Sequence, residues 1–130
     1  MTDAQDLNPS AIPLGAMAER IGMKLVSASA LKVVGTLPVE GNTQPFGLLN
    51  GAASMALVET LGSIAANLHA GPGRYAVGID ISGTHHKAAM RGTVTGTATP
   101  LSAGKTVATY EVIVTDDSGD RLCTRRITCL

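Results

Sequence analysis

From Gly41 to Gly73 the chain carries one formal charge, Glu59, set in its most apolar stretch. On a helix turning 100° per residue, Glu59, Thr60, Ser63 and Asn67 share an arc of about 100°, and Leu57, Leu61, Ile64, Ala65 and Leu68 cover much of the remainder. A carboxylate withdrawn from water costs free energy unless it is hydrogen-bonded or used in a reaction. Two readings of Glu59 stand side by side: an acid that reaches solvent or pairs with an arginine of the sheet, or an active carboxylate. Eight residues earlier, Asn50 is a favoured helix N-cap, and Gly51 behind it leaves its backbone N–H open to close approach at the positive helix end. That is a place for a polarised carbonyl or an oxyanion. At 1.5 Å per residue, Gly51 and Glu59 stand about 12 Å apart. If both act in one reaction, the helix start of one protomer must meet the carboxylate of another, so a catalytic reading requires at least a dimer.

The elements that must position these groups follow from periodicity. Gly51 to Ala70 is apolar nearly all round and stops at Gly71-Pro72-Gly73, which predicts a buried helix of about five turns. Before it, residues 13–22 suggest a short helix, and Met23 to Val26 and Ala30 to Leu37 read as a strand pair closed by Pro38. After it, Tyr75 to Ile81, Met90 to Thr99, Thr106 to Thr115 and Arg121 to Cys129 alternate with period two, separated by Ser82-Gly83, Pro100 with Gly104, and the Asp116 to Asp120 loop. Connections this short predict an antiparallel meander, because parallel crossovers need a dozen residues or more. The expected class is α+β, one long helix against an antiparallel sheet, in a single domain over residues 1–130.

Composition narrows the function. Ten basic residues balance ten acidic ones, and Phe46, Tyr75 and Tyr110 are the only Phe, Tyr or Trp side chains. No nucleic-acid partner is expected from a neutral chain without stacking aromatics. The polar start MTDAQDLNPS is unlike an export signal and no apolar run reaches eighteen residues, so a cytoplasmic protein with no membrane partner is expected. Cys123 and Cys129, six apart on one strand, share a face about 20 Å apart and cannot pair there. They read as small buried hydrophobes, and no metal site is expected.

Gln44-Pro-Phe-Gly-Leu-Leu-Asn-Gly51, followed by Ala-Leu-Val-Glu59-Thr-Leu-Gly-Ser63, resembles the signature of the PaaI-like hotdog-fold acyl thioesterases. The likeness extends through Val77 to Asp80, the Thr84 to Lys87 tract, Thr99 to Leu101 and Asp116 to Cys123. It implies the hotdog fold, an antiparallel sheet wrapped around one long central helix, and hydrolysis of acyl-CoA or acyl-carrier thioesters, with aromatic acyl groups within range. No cofactor is implied. By position Glu59 matches the catalytic carboxylate, nucleophile or general base, and Gly51 the amide that polarises the carbonyl. Gln44 matches the active-site glutamine, and Ser63 a hydroxyl that holds the carboxylate or the water. The partners implied are coenzyme A or a phosphopantetheinyl carrier as substrate, and further copies of the chain, a homodimer at least and a homotetramer by likeness.

Asn50 departs from the histidine that these relatives usually carry. Asn keeps a donor and an acceptor but exchanges no proton near neutral pH, so a non-catalytic or impaired thioester-binding module is the alternative reading. A hotdog hydratase is a third, disfavoured because no histidine precedes residue 69. His85, His86, Lys87 and Lys105 are candidates for substrate phosphates, with Arg91, Arg125 and Arg126 beside them, against the plainer reading of solvated surface charge. His69 is expected to serve only the helix dipole.

Overall fold

The computed structural model describes residues 7–130. The polar residues 1–6, part of the stretch read above as unlike an export signal, lie outside them. A one-turn 3-10 helix, Pro9–Ala11, and the short helix α1, Ala16–Arg20, lead into strands β1, Lys24–Ser29, and β2, Lys32–Pro38. Helix α2 spans Gly51–Ala70, and β3, Gly78–His85, β4, Thr93–Ala103, β5, Ala108–Thr115, and β6, Arg121–Cys129, complete the chain. All strand pairs are antiparallel, in the order β1-β2-β4-β5-β6-β3. This is the sheet around a helix that the sequence predicts.

Four expectations need correction. The helix proposed over 13–22 shrinks to α1, because Pro13 and Gly15 hold the earlier residues out of helical geometry. β3 runs from Gly78 to His85 instead of Tyr75 to Ile81: Asn67 ties up Ala76 through both backbone groups, so the chain joins the ladder only afterwards, and Ser82-Gly83, read as a boundary, pairs with Arg126 and Arg125 inside it. Pro100 does not end β4. It sits at an irregularity of register between Pro100 and Ser102, where a residue with no N–H is tolerated. The meander is also incomplete, since β3 pairs with β6 at the far edge of the sheet and not with β4.

What seats the helix is missing side chains. Gly35 and Gly96 are cross-strand partners, and a Cβ on either would stand 2.7 Å from a methyl of Leu61. Gly62 answers from the helix side, where Ile127 fills the space a Cβ would need. The helix therefore approaches the sheet closely, burying Leu57, Val58, Leu61, Ala65 and Ala66 against Val33, Leu37, Val94, Val112 and Ile127. With so few aromatics, that closeness builds the core. The one buried ring, Tyr110, donates its hydroxyl to the Ala65 carbonyl at 3.2 Å and reaches Ala30 at 3.4 Å. Burial pushes its pKa up to about 12. Cys123 and Cys129 are buried free thiols on the helix-facing side of β6.

Candidate active site

At the start of α2 the Asn50 side-chain oxygen accepts the Ala52 N–H at 2.9 Å, and the Asn50 carbonyl accepts Ala53 and Ser54. Among the first-turn amides of the described residues this leaves Gly51 N–H without an acceptor, as an N-capped helix does at its first position. The 42–50 loop is anchored by Asn50 N–H to the Asn42 carbonyl, and by the Asn42 side chain to Ile21 and Pro38. Gln44 accepts from Phe46 N–H and lines the same cavity as Gly51, with Leu49, Ser54, His85 and Ala89, a space of about 320 Å³. His85 comes closest to Gly51. Its Nε2 lies 3.0 Å from where a Gly51 Cβ would be.

Glu59 faces a different space. It is half-buried and lines a cavity of about 440 Å³ with Ile12, Leu14, Ser63, Ile64 and Leu68. Among the described residues no cation lies within ion-pair distance of it, so the arginine-paired reading is not what the fold adopts. The polar stripe divides its labour. Thr60 bonds back to the Ala56 carbonyl, Ser63 Oγ stands 3.5 Å from Glu59 Oε1, and Asn67 clasps Ala76 while donating to the Ser63 carbonyl. By holding Ala76, Asn67 lays the start of β3 over the acid, and Gly78 then meets the carboxylate with its bare Cα. Behind them, burial and then the Glu59 charge push the Cys129 thiol up, against a hydrogen bond from Ser63.

The residues considered for phosphates divide among different places. His86 bonds Thr124 Oγ1 at 2.9 Å beside the Gly51 cavity. Lys87 holds Asp116 at 3.2 Å and Asp120 at 2.6 Å, and these bonds keep its ammonium above the ordinary lysine range. Lys105 lies at the other end of α2, in a hollow shared with His69 and Arg74. His69 does more than face the helix dipole, since its Nε2 bonds the Gly104 carbonyl at 2.8 Å and so ties the helix end to the turn before β5. Arg125, grouped above with exposed charges, is 5% exposed, with its side chain on the helix-facing side.

Residues 46–123 match the thioesterase superfamily. The chain belongs to that family. It is 40% identical over 119 residues to the proofreading thioesterase EntH of Cronobacter sakazakii, an overlap of 91% of this chain and 87% of that protein. The thioesterase HI1161 of Haemophilus influenzae superposes with a TM-score of 0.85 at 30% identity, over 88% of this chain and 80% of that one. The PaaI protein of E. coli shares the fold, with a TM-score of 0.81 at 20% identity over 88% and 83% of the two chains. The protein is thus a hotdog thioester hydrolase. The sequence carries no signal for the contact of Gly78 with Glu59, and Arg125, weighed above for phosphates or solvated charge, turns inward instead. Arg125 was within reach, because it alternates inward with Cys123, Ile127 and Cys129.

Proposed function

We propose that the protein hydrolyses acyl-CoA or acyl-carrier thioesters at a site built by two protomers, with the Gly51 amide of one polarising the carbonyl and Glu59 of the partner subunit attacking it or activating water. The observation that carries this reading is the separation of the two groups: on one helix they line different cavities, eight residues apart, about 12 Å at helical rise. The edge strand β3 supports it. One side of β3 pairs with β6, the other has no partner among the described residues, and Val77 and Ile79 are exposed along it, whereas the opposite edge at β1 is partly covered by Leu7 bonding Ala28. A second copy added there, antiparallel, brings two α2 helices together head to tail, and dimers pair further into a tetramer.

The apolar wall of Ile12, Leu14, Ile64 and Leu68 beside Glu59 suits the acyl group, aromatic acids included. Gln44 completes the Gly51 half, Ser63 steadies Glu59, and His85, His86, Lys87 and Lys105 meet the carrier arm and its phosphates. No cofactor enters. Thiol release from a series of aromatic and aliphatic acyl-CoAs tests the reading. Glu59→Ala should lower the rate by roughly 10² to 10⁴, the contribution of a positioned base; a variant as active as the parent overturns it.

One observation favours a second reading, a thioester-binding module with little turnover. The Asn50 oxygen is committed to capping Ala52, and its amide exchanges no proton. Tight acyl-CoA binding without turnover, with hydrolysis appearing in Asn50→His, selects that reading.

A further inference from the structure

Arg125 is a cation buried at 5% exposure, and no carboxylate lies within ion-pair distance among the described residues. Its Nε is the one buried side-chain polar atom there without a hydrogen-bond partner. Such a charge is costly and stands where structural need alone would place an apolar residue. Its bed is shaped for it. Its cross-strand partner is Gly83, where a Cβ would collide with the Thr124 carbonyl and stand 2.7 Å from both Cα and Cγ of Arg125, and Nη2 ends on His85 Nε2.

We propose that Arg125 is a positioning residue for the helix-start half of the site, holding the His85 imidazole as the neutral Nδ1–H tautomer beside the Gly51 amide. A guanidinium has only donors, so the His85 nitrogen that meets it must be the acceptor. The proton then sits on Nδ1, for which the described residues supply no acceptor, and the ring offers one donor in one direction. Asn50 brings no imidazole to this end, so His85 is the ring that stands at Gly51. The charges around it favour the neutral form. Arg125 and the thiol Cys123 face it from β6, His86 adjoins it, Lys87 beyond is neutralised by Asp116 and Asp120, and the first turn of α2 holds no acid. Burial, Arg125 and His86, in that order, hold its pKa below the usual histidine range.

Imidazole nitrogen NMR on the intact protein reads the tautomer without any substrate. His85 is expected as Nδ1–H in the parent. In Arg125→Met it should shift toward the Nε2–H form and titrate at higher pH, and Arg125→Lys, which keeps a charge and a donor, should recover part of the difference. An Nε2–H ring in the parent, or a tautomer and titration unchanged in Arg125→Met, overturns the proposal. If Arg125→Met does not fold, the parent spectrum still decides. The kinetic arm rests on the site reading above: the acid limb of kcat/KM should move to higher pH in Arg125→Met. A parent without turnover but with the Nδ1–H ring refutes the hydrolytic reading and leaves this one standing.

Discussion

The carboxylate of Glu59 lies against the main chain of Gly78, so that a Cβ at position 78 would stand 2.6 Å from Oε1 and 3.1 Å from Oε2. An acid on a helix and a glycine at a strand start are thus one device: the strand passes close enough to fix the carboxylate because nothing projects from it. Gly78 has no positive φ, so its backbone accepts other residues and only the space forbids them.

Gly78→Ala is therefore expected to fold and to lose activity. A carboxylate pushed by about 1 Å from its working position costs roughly 10² in rate. Thiol release with circular dichroism as a control checks this, and unchanged kcat would show that the contact does not position Glu59.

The proposed two-protomer site predicts complementation. Glu59→Ala removes one half, and Gly51→Val, whose Cβ would stand 3.0 Å from His85 Nε2, blocks the other. Co-expressed one to one, the two inactive variants should give roughly a quarter of parental activity, since half of the dimers are mixed and each of those holds one intact site. No recovery in mixed dimers isolated by differential tags would overturn the shared site.

The glycine seat of α2 predicts a stability effect independent of chemistry. A Cβ at position 62 would collide with Ile127 Cγ2, so Gly62→Ala should destabilise the fold by about 1–3 kcal/mol, as overpacking does. Urea denaturation measures it, and in Ile127→Ala, which removes Cγ2, the added methyl at position 62 should cost less than it does in the parent.

Tyr110 predicts the alkaline limit. Its folded pKa of about 12 lies above the ordinary value of 10.0. Below pH 10 the phenol is neutral in both states and its contribution is complete. Above that, the unfolded chain ionises first, so stability is lost as pH rises from 10 toward 12. Tyr110→Phe should flatten that loss and, by leaving the Ala65 carbonyl without its donor, cost about 1 kcal/mol at neutral pH. Thermal midpoints over that range test both.

Much of this protein is determined locally and was legible in the residues. The helix over Gly51–Ala70 begins and ends where the Asn50 cap and the Gly-Pro-Gly break put it, because capping and apolar content act within one element. β5 alternates as written, and helical rise alone separates the single acid of α2 from its open amide by eight residues, so that a reaction using both needs two protomers. What tertiary structure decided is non-local. Which edge β3 joins, and that it starts only after Asn67 has clasped Ala76, depend on partners distant in sequence. Pro100 survives within β4 because the ladder with β5 yields around it. Arg125 turns inward because β6 keeps its alternation, and Gly78 meets Glu59 only once sheet and helix are packed. Periodicity states which way a side chain points; what it then touches is settled by the chain that folds over it.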